Sequence, residues 1–77
     1  SESNCQGLTA LECRIARNEI YARHDRRFED ESLQGYFDGC SWYTGSIAPS
    51  DFSDDMLNNI ERDNLKVIKA YEENMGY

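Results

Sequence analysis

The sequence predicts an all-α fold, a small three-helix domain in which two longer helices pack with a short helix and an aromatic loop. Three observations carry that expectation. Apolar residues recur at helical spacing in three separate stretches, each stretch opens at a residue suited to cap a helix, and none shows the period-two alternation of a strand. At 77 residues the chain supports one domain, with residues 1–7 as a loose lead-in and residues 8–77 as the folded unit. A core of that size leaves a surplus stability of only roughly 3–5 kcal/mol, so further ties are expected. Apolar residues make up 39% of the chain and aromatic residues 12%, enough large anchors for it to fold.

The first helix is announced by Thr9 and Glu12, which spell a capping box, with Leu8 and Cys13 placed as a hydrophobic staple around it. It begins at Ala10. At about 100° per residue, Leu11, Ile15, Asn18 and Ala22 gather on one side, and Cys13, Ala16 and Ile20 on the other. Two apolar faces belong to a helix packed between other elements. It is expected to end near His24, leaving Asp25 in the position where a left-handed glycine is usual.

The connector from Arg26 to Glu29 carries Phe28 as a core anchor, and Asp30 caps a short helix through Leu33, Tyr36 and Phe37. Asp38-Gly39 stops it. Trp42 and Tyr43 follow, with Phe37 and Trp42 assigned to the core and a surface role left to Tyr43, before a loop rich in Gly, Ser and Pro from Thr44 to Asp51. The third and longest helix is expected from an N-cap at Ser53, with Asp54 and Asp55 in the first turn, to about Asn74, and Gly76 ends it. Its apolar stripe reads Leu57, Ile60, Asn64, Val67, Ile68, Tyr71 and Met75.

Polar residues interrupt both stripes. Glu61 and Asn64 fall near the centre of the third helix's stripe, and Asn18 holds the equivalent place on the first. Buried unpaired, each would cost several kcal/mol, on the order of 2–7. The expectation is therefore a buried network of Asn18, Glu61 and Asn64, with Arg17 or Arg14 as its cation, that fixes the register of the two helices. The functional reading of the same residues makes Glu61 a perturbed carboxylate in a pocket, serving as a general base or ligand site.

The net charge of −7 is unevenly spread: Arg14, Arg17, Arg23, Arg26 and Arg27 against Glu19 and Asp25 give residues 14–27 a charge of +3. The remainder is strongly acidic. A chain with a pI of about 4.5 is a poor partner for nucleic acid, since carboxylates would surround any basic footprint. No apolar run is long enough to span a membrane. Cys5, Cys13 and Cys40 match no zinc spacing, and His24 is the sole histidine, so neither a metal nor another cofactor is expected. A disulfide from Cys5 or Cys13 to Cys40 would close a long loop and stabilise the domain by roughly 2–4 kcal/mol, given an oxidising compartment.

His24 adjoins Asp25 and lies near Tyr21, but no nucleophile motif accompanies it, and a histidine at a helix C-terminus suits the helix dipole. Arg23, His24, Arg26 and Arg27, with Trp42 and Tyr43, are the candidate binding residues. No catalytic set is assigned.

The stretch Ala16-Arg17-Asn18-Glu19-Ile20-Tyr21-Ala22-Arg23-His24 resembles the signature of the YARHG domain family. The likeness continues through Arg27-Phe28, Leu33-Gln34-Gly35-Tyr36-Phe37, Trp42-Tyr43 and the run from Leu57 to Asn64, with Asp25 standing where the family has Gly. That departure predicts that Asp25→Gly stabilises. The resemblance implies a bacterial, extracytoplasmic module of unassigned activity, secreted or attached to the cell envelope, its signal or anchor lying outside this chain. The leading reading is thus a non-catalytic exported accessory or interaction domain that contacts cell-wall material or a protein partner. The alternative is a small ligand-processing or hydrolase-like site built on Glu61, His24 and Arg17.

Overall fold

The computed structural model describes residues 7–77, and its three α-helices are α1 (Ala10–Ala22), α2 (Glu31–Asp38) and α3 (Asn59–Met75). The class is all-α, as expected. Two short 3-10 turns, Pro49–Asp51 and Asp54–Met56, lie between α2 and α3. Helix α1 is central, packing against both α2 and α3, which explains its two apolar faces.

Each face of α1 meets its own cluster. Ala22 joins Phe28, Leu33, Phe37 and Tyr43, with Ile15, Tyr21, Cys40 and Trp42 packed around them. Phe37 is fully buried at the middle of this group, stacked on Phe28 at 5.2 Å between ring centroids. On the other side Cys13 sits with Ile68 and Tyr71, flanked by Leu8, Ala16, Ile20 and Val67. Leu8 thus lies beside Cys13 as the staple requires.

The capping signals hold at three helix ends. Thr9 and Glu12 form the reciprocal capping box of α1, Asp30 accepts the Leu33 amide at 3.0 Å, and Gly76 terminates α3 at φ 73°. Helix α1 ends at Ala22, two residues short of the expected His24, and its last turn unwinds through Arg23 to a left-handed Asp25 at φ 63°. The Asp25 carboxylate accepts the Thr44 amide at 3.1 Å. That bond, acting with further contacts from Thr44 and Gly45, holds the carboxyl below the usual carboxylate range.

The start of the third helix is the main correction. Ser53 caps only the 3-10 turn at Asp54–Met56, and α3 begins five residues after the predicted turn, at Asn59. Its cap is a second capping box, in which Asn58 accepts the Glu61 amide and Glu61 accepts the Asn58 amide. The inward face shifts with it. Leu65, Ile68 and Tyr71 are buried, whereas Ile60, Asn64 and Met75 are exposed.

The loop after the aromatic pair is tied back to the end of α1. Ile47 donates to the Asp25 carbonyl at 2.9 Å and accepts the Arg27 amide at 2.7 Å, a single parallel bridge between two irregular segments. Gly45 lies beneath Tyr43 with φ 62°, and a Cβ there would sit 3.0 Å from the Tyr43 ring and hydroxyl and 2.9 Å from Arg27 Nη1. Only glycine fits.

Cys13 and Cys40 belong to opposite clusters, and no disulfide forms among the described residues. The expected tie from Cys13 to Cys40 is therefore absent: Cys40 remains a thiol beside the Tyr36 carbonyl, 3.7 Å away. Cys5 lies outside the described residues. Ion pairs and buried hydrogen bonds supply the ties instead.

Candidate functional site

Helix spacing places Arg17, Asn18 and Tyr21 on one side of α1, and the chain brings Arg26, Pro49, Phe52 and Asp54 against them. Together they line an open cleft of about 300 Å3. Its floor comes from the polar residues that the sequence singles out, and its opposite wall from the loop that the two 3-10 turns shape. Phe52 closes edge-on against Tyr21, with centroids 5.7 Å apart, and is 6.4 Å from the His24 ring.

Arg26 is the conspicuous cation here. Its guanidinium carbon lies 5.1 Å from the Tyr21 ring, 5.5 Å from Phe28 and 5.8 Å from Phe52, and it forms no ion pair among the described residues. Its backbone is fixed as well, because the Tyr43 hydroxyl donates to the Arg26 carbonyl at 2.7 Å. The guanidinium is thus presented by rings on three sides.

The predicted buried network of Asn18, Glu61, Asn64 and Arg17 does not assemble. Asn18 is buried at 8% exposure, but its Nδ2 donates within its own helix, to the Arg14 carbonyl at 2.9 Å. Asn64 faces outward because the helix starts later and presents Leu65 instead. Arg17 reaches across to α3 and grips Glu72, with Nε to Oε1 at 2.9 Å and Nη2 to Oε2 at 3.4 Å. Arg14 pairs with Asp30 at 2.7 Å. One polar network is replaced by separate contacts: Asn18 bonds within α1, Arg17 ties α1 to α3, and Arg14 ties it to the cap of α2.

His24 and Glu61 do meet, with Nε2 to Oε2 at 2.8 Å. Glu61 is also committed to its own cap, through Oε1 and the Asn58 amide at 2.9 Å. The Asn58 amide, followed by the His24 contact, outweighs burial and holds the Glu61 carboxyl below the usual range. Chemically the pair is an interhelix clasp: it fixes the end of α1 to the start of α3. Arg17, the third member of the alternative site, is directed to Glu72 instead.

The remaining candidate binding residues are used internally. The Arg23 guanidinium lies 3.7 Å above the Trp42 ring, and its nitrogens contact Glu19 at 3.4 Å. Arg27 Nη1 donates to the Gly45 carbonyl at 3.2 Å. Tyr43, for which the sequence leaves a surface role open, is buried, its hydroxyl donating to the Arg26 carbonyl and to Gln34 Oε1. Trp42 is half-buried, with one face covered by Arg23.

The family model of the YARHG domain matches residues 1–73. The chain belongs to the YARHG domain family. Compared with curated proteins and with solved structures, it finds no match. In this YARHG domain the signature residues divide in two. Ala22 and Phe37 pack the interior and Arg17 and Asn18 line the cleft, with Tyr21 serving both; Arg26, outside that signature, joins the cleft lining.

Sequence reasoning missed Pro49, Phe52 and Asp54 as cleft residues. Phe52 carried a signal: it is a large ring isolated between Asp51 and Ser53, outside any apolar stripe. Such a ring needs a partner elsewhere, and finds it in Tyr21. Among the described residues no group of histidine, cysteine and carboxylate side chains is placed to hold a metal ion, and no helix is long and apolar enough to cross a membrane.

Proposed function

We propose that this YARHG domain is a non-catalytic accessory or interaction domain, exported to the cell envelope, that contacts cell-wall material or a protein partner through the basic end of α1. One observation carries the reading. In a chain of net charge −7, Arg26 stands at an open cleft with no carboxylate partner among the described residues, although acidic groups abound elsewhere. Arginines displayed on aromatic surfaces are suited to recognising an anionic group on a partner. The family resemblance supports the location outside the cytoplasm.

The experiment is an NMR titration of the labelled domain with soluble peptidoglycan fragments and with whatever domains adjoin it in the full-length protein. Saturable shifts at the end of α1 are expected; an unchanged spectrum with every one of these partners sinks the reading. Fractionation of the producing cell checks location, with recovery confined to the cytosol counting against export.

A second reading, the small ligand-processing site, takes its support from the His24–Glu61 contact. It has less to work with, because Glu61 caps α3 with one oxygen and meets His24 with the other, while Arg17 serves Glu72.

A further inference from the structure

Resting on the reading of an interaction domain, and deepening it, we propose that the cleft beside α1 receives the terminal carboxylate of a short peptide. Size is the first argument. At about 300 Å3 the cleft stands at the small end of ligand sites, room for an acid group and one or two residues.

Charge is the second. The lining contains Arg17, Arg26 and Asp54; Glu72 neutralises Arg17, so Arg26 is the cation left to meet a ligand in an acidic molecule. Arg17 spends Nε and one Nη2 hydrogen on Glu72, and neither its Nη1 nor the Arg26 side chain gives a hydrogen bond to any described residue. Guanidinium forks match the two oxygens of a carboxylate.

Asn18 supplies the third. Its Nδ2 must donate to the Arg14 carbonyl, which assigns the amide and leaves Oδ1 accepting no hydrogen bond from the described residues. Oδ1 is an acceptor suited to a peptide N–H, a group that an inorganic anion lacks. The exposed lining is mainly polar, with only a small apolar margin from Tyr21, Pro49 and Phe52, enough for a methyl-sized group, and Asp54 disfavours a multiply charged anion. The three features together describe a carboxylate preceded by an amide and a short apolar group.

The test uses the isotope-labelled protein, with N-acetyl-Ala-Ala, its C-terminal amide and sodium sulfate as probes. The free acid is expected to bind in the millimolar range, shifting the Arg26 Nε–H, the Asn18 side-chain amide and the Tyr21 ring, with the amide weaker by at least about tenfold. Arg26→Lys keeps the charge but loses the fork, and is expected to weaken the acid about fivefold or more. Because Arg26 lies among three rings, that variant is read only if its spectrum stays dispersed; the comparison of acid with amide needs no variant. Equal binding of acid and amide, competition by sulfate at equal concentration, or no binding of the acid overturns the proposal. Shifts from wall fragments that fall elsewhere, at Trp42 for example, overturn the cleft and leave the interaction domain standing.

Discussion

At Asp25 two opposing effects meet in one residue. A left-handed φ of 63° is unfavourable for any side chain with a Cβ, yet the carboxylate is used, since it accepts the Thr44 amide and so joins the end of α1 to the loop beyond Tyr43. Asp25→Gly removes the strain and the bond together. Loss of the Thr44 bond offsets the stabilisation expected from the sequence, so its urea midpoint should stay near that of the wild type, while Asp25→Ala, which keeps the strain and loses the bond, falls clearly below both. A marked rise for the glycine variant would show that strain dominates. Gly45 offers no such balance: Gly45→Ala forces a Cβ into the Tyr43 ring at a positive φ, and a loss of roughly 2 kcal/mol or more is expected from urea unfolding.

Between elements, stability depends on individual clasps rather than on a shared network. Arg17–Glu72 is the best shielded ion pair, with side-chain exposures of 28% and 14%, and it spans α1 and α3. Glu72→Gln is expected to cost about 1–2 kcal/mol, measured by denaturant unfolding with Arg14 and Asp30 unchanged as an internal comparison. The cap of α3 is separable from its clasp. Asn58→Ala should cost about 1 kcal/mol, whereas Asn58→Asp keeps an acceptor for the Glu61 amide and should cost little.

These elements also show which parts of the fold could be read in advance. Thr9, Glu12, Asp30 and Gly76 act through bonds to residues a few positions away, so their local sequence sufficed. The start of α3 was misplaced because Ser53-Asp54-Asp55 and Asn58-x-x-Glu61 are both sound capping signals; each is used, the first by a 3-10 turn and the second by the helix, with Leu57 buried between them. Taking the phase from Leu57, which precedes the helix, turned Asn64 inward; Leu65, Ile68 and Tyr71 define the true face. The cleft was half legible. Its α1 residues share a face by spacing alone, but Pro49, Phe52 and Asp54 arrive through a loop whose path depends on the Ile47 bridge and on Gly45 beneath Tyr43.

For the molecule as a whole, acid is the natural destabilising condition. Glu61, Asp25 and Asp30 all have carboxyls held below their ordinary range, led by hydrogen bonds from the backbone amides of Asn58, Thr44 and Leu33 respectively. A carboxyl depressed in the folded state contributes stability that is fully present above its unfolded pKa of about 4 and is lost as pH falls through the folded value. The contribution of these three carboxyls should thus be level from neutrality down to about pH 5 and decline below about pH 4. Glu61→Gln retains a side chain able to complete the capping box but cannot ionise, so its decline should be shallower. Identical slopes for both proteins, from urea midpoints across that range, would remove Glu61 from the account.

The single bridge between Arg26 and Ile47 has a kinetic consequence. Neither segment is helical, yet the Arg27 amide is bonded at 2.7 Å to the Ile47 carbonyl and the Ile47 amide at 2.9 Å to the Asp25 carbonyl. The loop holds the Arg27 amide and the segment just after α1 holds the Ile47 amide, so both can exchange with deuterium only when these two segments part. They are expected to exchange far more slowly than the neighbouring amides of Ser46 and Ala48, and Gly45→Ala should quicken both in step. The loop that forms one wall of the cleft then belongs to the same cooperative unit as the helix that forms the other.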